Sequence, residues 1–228
     1  MVCHVETSSE NPVQTGSRQG SYRSGSGAVP AFFADPCLLS SSGDCPNNDA
    51  LPLLLYRGAV ALSEDDAEGD VEKAFWANGW GNGFRGDTFP FHHYHSTAHE
   101  VVGIARGTAT IQFGGPDGPV FDVAAGDAVL IPAGVVHCRL DDAPGFMSIG
   151  AYPPGQTPDL CVLNEADAGV ARQTPEIGDL TIKPIGQNEL ASTKARIKSV
   201  ALPSSDPIAG NGGPMAAHWL QGGTQQTA

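Results

Sequence analysis

The sequence predicts an all-β domain, a sandwich or barrel of short strands, and three observations carry that prediction. The 228 residues suit one domain of ordinary size with room for tails. Glycine (29) and proline (18) are abundant and only 16% of residues are charged, which suits short strands joined by many turns better than long helices. From Thr88 to Tyr152, short apolar runs alternate with Gly, Pro and Asp punctuation.

The elements follow in chain order. Residues 1–28 are polar and Ser/Gly-rich ("SRQGSYRSGSG") and read as a flexible segment; residues 29–50 carry turn residues and read as an irregular arm. "LPLLLYRGAV" from Leu51 reads as a first strand. A short helix follows, with Ser63 as its cap, an acidic first turn, Val71, Ala74 and Phe75 as its apolar stripe, and Gly79 as its stop. "GWGNGFR" (Gly79–Arg85) reads as a turn into the barrel. It does not lead from a strand into a helix, as a dinucleotide-binding loop would. Strands are expected near Phe89–His95, Glu100–Ile104, Ala109–Phe113, Val120–Val123, Ala128–Ile131, His137–Leu140 and Met147–Tyr152, with turns at "GGPDGP" and "PAG". Beyond Pro153 the pattern loosens: a loop with a strand at Leu180–Lys183, helical periodicity in "NELASTKARIKSV", and a proline-punctuated tail. The expected organisation is an N-terminal extension (1–50), a barrel (51–158) and a C-terminal extension packing on it (159–228).

The net charge of −13 argues against nucleic acid and anionic membrane as partners. The longest apolar stretch is broken by Arg57 and Gly58, well short of a membrane span, and the N-terminus lacks a signal-peptide pattern. Five scattered cysteines point to a reducing compartment, and with it a cytoplasmic location; only Cys37 and Cys45 are close enough to suggest a bridge.

The chemistry concentrates in "FHHYHSTAHE", residues 91–100. Alternate residues of a strand share a face, so His93 and His95 point one way while His92 and Tyr94 point the other. Glu100 opens the next strand, and His137 follows the "PAG" turn further on. Three imidazoles and a carboxylate suit one divalent transition metal (Fe, Mn, Ni, Cu, Co or Zn). The spacing is more specific than the count: His93-x-His95, four residues, Glu100, six residues, Gly107; then, after eighteen residues, Gly126, five residues, Pro132-x-Gly134, two residues, His137. These two blocks resemble the paired motifs of the cupin superfamily. Asp141 stands where the second motif usually ends in Asn, a position that is not a ligand. "NGWGNGFRGDTFPFHHYHSTAHEVVGIARG", "GAYPPGQ" and "ALPSSDPIAGNGGP" are further similar to the YjlB-like monocupins of bacteria and fungi.

The resemblance implies a single cupin barrel, a double-stranded β-helix or jelly roll, with His93, His95, Glu100 and His137 on one metal and a small-molecule substrate. It implies an oxidoreductase or dioxygenase, by likeness to fungal relatives placed in secondary-metabolite (polyketide) pathways. A metal-dependent isomerase, dehydratase or cyclase and a non-catalytic small-molecule-binding cupin are the alternatives. Glu100 doubles as the candidate catalytic base. Arg139, two residues beyond His137, and Trp80, Phe84 and Arg85 at the barrel mouth are the candidate substrate-binding residues. Cupin barrels often pair through sheet edges and swapped arms, so a homodimer is a further expectation, with residues 29–55 available as the arm.

Overall fold

The computed structural model of the chain describes residues 34–174, 182–184 and 189–220. The expectation for residues 1–28 lies outside them. The described residues belong to one compact unit. Within the described residues, twelve strands form two sheets of six. The first sheet runs β1 (Asp35–Cys37), β2 (Leu53–Tyr56), β8 (Ala128–Ile131), β5 (Glu100–Arg106), β10 (Met147–Tyr152), β3 (Gly81–Gly86). The second runs β12 (Ile182–Pro184), β11 (Leu160–Val162), β4 (His93–Tyr94), β9 (His137–Asp142), β6 (Thr108–Phe113), β7 (Val120–Ala124). Every pairing is antiparallel except β11 with β12. This is the jelly-roll architecture that the sequence predicts.

Burial follows from what covers each strand. β7 alternates exposed and buried because one face meets solvent. β5 is buried along almost its whole length, because helix α1 (Ala67–Ala77) lies on its outer face. Val71 and Phe75 of that helix, both fully buried, meet the sheet at Gly103, where a side chain would come within 2.5 Å of Val71. The helix begins later than expected. Asp66, not Ser63, is its cap and accepts from the Gly69 N–H. Ser63 instead gives both its N–H and its hydroxyl to Asp70, which ties the preceding loop to the first turn. The stop is at Asn78 and Gly79, where a φ of +83° suits glycine.

Three further segments depart from expectation. "GNGFRG" is no turn but the edge strand β3, paired with β10. Its glycines allow close contact: a side chain at Gly83 would collide with the Gly150 carbonyl, and one at Gly150 with the Phe84 ring. The run Phe89–His95 forms ladder pairs only at His93–Tyr94, since Pro90 removes a donor. After Pro153, β11 and helix α2 (Glu165–Ala171) appear where a loop was expected, α2 being capped by the Asn164 side chain. Helix α3 (Leu190–Lys198) matches the predicted periodicity. The expected strand at Leu180–Lys183 lies partly outside the described residues, and Ile182 and Lys183 are in β12.

Residues 34–50 pack on their own barrel through β1 and two asparagines. Asn47 accepts from the Val136 N–H and donates to the Ser40 and Gly114 carbonyls, and Asn48 donates to the Ala133 carbonyl. Cys45, Cys138 and Cys161 are buried free thiols, so no Cys37–Cys45 bridge forms. No helix among the described residues is long and apolar enough to cross a membrane.

Candidate metal centre

β4 and β9 place His93 directly opposite His137, with ring centroids 4.0 Å apart. His95, on the same side of its chain as His93, brings its ring to 5.8 Å from His93 and 6.0 Å from His137. All three are buried, and one ring nitrogen of each lies within 4.8 Å of the others, so this three-histidine group could hold a metal ion. Glu100, 2% exposed at the start of β5, completes the chamber. Its Oε2 lies 3.5 Å from His95 Nε2 and 3.4 Å from His137 Nε2.

The backbone fixes how the rings present themselves. His93 Nδ1 donates to the Phe91 carbonyl and His137 Nδ1 to the Val135 carbonyl, each at 3.0 Å. His95 Nδ1 donates to the Asp159 carbonyl. A carbonyl can only accept, so each Nδ1 carries the proton and each neutral ring keeps its lone pair on Nε2. Lone pairs therefore surround a carboxylate oxygen, Glu100 Oε2, that is buried without a hydrogen bond. Acceptors facing acceptors repel; a cation between them turns the repulsion into attraction. Three nitrogens and an oxygen are a donor set that first-row divalent metals accept.

Without a cation, a proton takes its part: His95 is favoured as the imidazolium beside Glu100, which puts a hydrogen rather than a lone pair on its Nε2. Burial would raise the Glu100 carboxyl, but His95 and His137 outweigh it and hold the group below the usual carboxylate range. His93 is pushed well below the ordinary histidine value by burial and by its two imidazole neighbours, which keeps it neutral. For His95, burial opposes the imidazolium, and the Glu100 carboxylate more than compensates. Tyr152 donates its hydroxyl to Glu100 Oε1 at 3.0 Å, and burial together with that carboxylate pushes the phenol well up, so it stays a donor.

His92 and His99 stand apart from the cluster, as strand alternation predicts. His92 Nε2 meets Gln112 at 3.2 Å. His99 accepts from the Ala133 N–H and packs on Trp219. His218 is exposed.

Above the histidines lies a cavity of about 110 Å³, walled by Phe84, Phe89, Val102, Tyr152 and Pro158, with Arg85, Asp87 and Thr88 at its rim. Phe84 reaches it and Arg85 borders it, with the Arg85 side chain turned to Glu72 on α1; Trp80 and Arg139 do not line it. Trp80 is buried in the barrel's outer core, its indole N–H on the Ser205 carbonyl. Arg139 has its guanidinium engaged by Asp142, Asp87 and the Thr88 carbonyl, a barrel-end ion pair. Reasoning from the sequence passed over Tyr152, Phe89 and Asp159. Tyr152 could have been flagged as the inward end of a predicted strand. Asp159 offers no such signal: its carbonyl orients His95, while its carboxylate takes the Ser96 N–H and hydroxyl and faces Arg196 and Lys183. Burial opposes that charge, but the Ser96 hydrogen bonds bring the Asp159 pKa down to about 2.

Two sheets closed around an inward His/His/Glu/His set make a β-barrel whose interior histidines could hold a metal ion. Residues 85–139, which contain all four side chains, match the family described as the cupin domain. The chain is 37% identical over 190 residues to the uncharacterized protein YjlB of Bacillus subtilis (strain 168), spanning 83% of this chain and 95% of that one. The chain belongs to the cupin family. Among solved structures, RmlC from Streptococcus suis, in complex with dTDP-D-xylose, is 12% identical, covering 75% of this chain and 94% of that one with a TM-score of 0.36. Acireductone dioxygenase from Bacillus anthracis, with cadmium in its active centre, is 19% identical, covering 50% and 57% with a TM-score of 0.24.

Proposed function

We propose that the chain is a metal-dependent enzyme, an oxidoreductase or dioxygenase acting on a small organic molecule, with one divalent transition metal held by His93, His95, Glu100 and His137. The observation that carries this reading is the set of three Nε2 atoms turned inward around the unpartnered Glu100 Oε2. Bound there, the metal would supply Lewis acidity or redox chemistry at positions the four side chains leave open. The chain's own groups do the rest. The backbone carbonyls of Phe91, Asp159 and Val135 hold the rings in place. Phe84, Phe89 and Val102 give the cavity an apolar lining. Were Glu100 to leave the metal, it could take a proton from a substrate hydroxyl at Oε2, while Tyr152 holds Oε1.

The Tyr152–Glu100 hydrogen bond also favours a second reading, a redox-neutral isomerase, dehydratase or cyclase, because a phenol beside a carboxylate can pass a proton between two substrate atoms. One experiment addresses both. Purified protein reconstituted with each candidate metal is assayed for metal content and for dioxygen consumption with phenols and aldehydes. We expect about one metal per chain and loss of binding in His93→Ala and His137→Ala. Turnover that is indifferent to dioxygen would select the second reading. A folded protein that takes up no metal would end both.

A further inference from the structure

The cavity's walls and rim specify what enters it, an inference that rests on the metal centre just proposed. Phe84 and Phe89 are only half-buried. Phe89 stacks on Phe91 with centroids 5.1 Å apart and planes 11° from parallel, and meets the edge of the His93 ring at 5.1 Å. The result is a flat apolar wall standing beside an inward-facing imidazole. Offset stacking of a ligand ring against such a wall is the contact it makes best.

The rim settles the charge. Arg85 borders the cavity, but it pairs with Ile149, which pairs with Gly103, so its side chain lies on the face of the sheet that α1 covers. Its Nε and Nη2 each meet one oxygen of Glu72 on that helix at 2.7 Å, a bidentate pair that holds the guanidinium away from the cavity. Asp87, on the same rim, adds negative charge. The nearby Arg139 is spent on Asp142, Asp87 and the Thr88 carbonyl. An anionic group lodged at this rim, away from the metal, would meet apolar wall and Asp87 with no free arginine or lysine beside it among the described residues, and its desolvation would go uncompensated.

We propose that the substrate is a small, uncharged molecule with a flat conjugated ring or enone and at least one oxygen donor, and that carboxylated and phosphorylated molecules are excluded. Asp87, with no free arginine or lysine beside it among the described residues of the rim, is the charge filter, and Phe89 selects for flatness.

The test uses the full chain loaded with zinc, its metal content measured on the same sample, and isothermal titration with three probes. Catechol is flat and neutral. Protocatechuate adds one carboxylate to the same donor pair. Cyclohexane-1,2-diol keeps the oxygens and loses the flat ring. Catechol should bind at least roughly tenfold more tightly than either of the others. Phe89→Ala should erase its advantage over the diol. Asp87→Asn, which removes the rim's negative charge, should tighten protocatechuate severalfold more than it tightens catechol. Protocatechuate binding as tightly as catechol to the zinc-loaded wild type would overturn the charge filter while leaving the metal centre standing. A diol that matches catechol would overturn the selection for flatness. A chain that takes up no zinc would overturn the metal centre and this inference with it.

Discussion

His99 sits one residue before the Glu100 carboxylate and yet serves a different purpose. Its Nδ1 accepts from the Ala133 N–H at 3.0 Å, and its ring lies 4.9 Å from that of Trp219. Burial lowers its pKa to about 4, with the Ala201 carbonyl offsetting only part of the effect. An unfolded histidine titrates near 6.5, so between pH 6.5 and 4 the unfolded chain binds a proton that the folded chain refuses. Stability from this group is therefore complete above pH 6.5, falls as the pH drops, and is gone below about 4. A shift of this size corresponds to roughly 3 kcal/mol. Urea unfolding at pH 7.5 and pH 4.5 should show the loss, and His99→Gln should flatten the difference by a similar amount. An equal pH dependence in the variant would assign the effect to other groups.

At the scale of elements, the helix and the first sheet meet through an absence. Gly103 of β5 has no side chain, and α1 settles into the gap: a methyl group there would lie 2.5 Å from Val71 Cγ1 and 2.8 Å from Phe75 Cζ. Both neighbours are fully buried and cannot swing away. Gly103→Ala should therefore cost about 1–3 kcal/mol through overpacking, although alanine is an ordinary residue for a strand. Thermal unfolding would read this as a lowered Tm. A variant of unchanged stability would mean that the helix is free to shift. Contacts of this kind explain which parts of the fold could be read in advance. β5 to β10 are marked by apolar runs between turn residues, a local signal, and His93, His95, Glu100 and His137 by strand alternation and motif spacing. β3 is hidden because its glycines exist to let β10 approach, a property of the partner strand. Arg139 and Arg85 were equally plausible cavity residues on paper. Their outcomes turn on Asp142 and Glu72, and neither residue's reach across the fold is written in local sequence. Asp159 is invisible for the same reason, since its carbonyl works on a ring sixty-four positions earlier.

At the scale of the molecule, the chain's far end is tied back to its beginning by one buried carboxylate. Asp206, 1% exposed, accepts four hydrogen bonds: from the Ile208 and Ala209 N–H groups on Oδ1, and from the Met215 N–H and the Tyr56 hydroxyl on Oδ2. The first three fold "DPIAGNGGPM" into a compact turn, and the fourth fastens that turn to β2. Gly213 belongs to the same knot, since a side chain there would strike the carboxylate at 2.7 Å. Around it, Asn78 donates to the Pro207 and Ile208 carbonyls, Trp80 to Ser205, and Trp219 to Pro52. Residues 205–219 thereby cover the end of α1 and the outer face of β2, and Trp219 reaches His99, next to Glu100. The "ALPSSDPIAGNGGP" signature thus has a physical reason: it builds an acceptor for four donors and a cover for the sheet behind the histidines. Asp206→Asn tests this with almost no change in shape. The amide nitrogen would confront either the Met215 N–H or the paired N–H groups of the turn, donor against donor. One or two buried groups left unpaired cost roughly 3 kcal/mol, or about 6 °C or more in Tm for a chain of this length. The variant should also be cut faster by protease between Pro203 and Pro214, and the fluorescence of Trp80 and Trp219 should shift to the red as they meet water. Tyr56→Phe, which removes one donor and leaves the turn intact, should lose about a third as much stability. If the asparagine variant melts within a degree of the wild type, the C-terminal segment is held by its apolar contacts with Trp219 and Met215, and the carboxylate knot is not what fastens it.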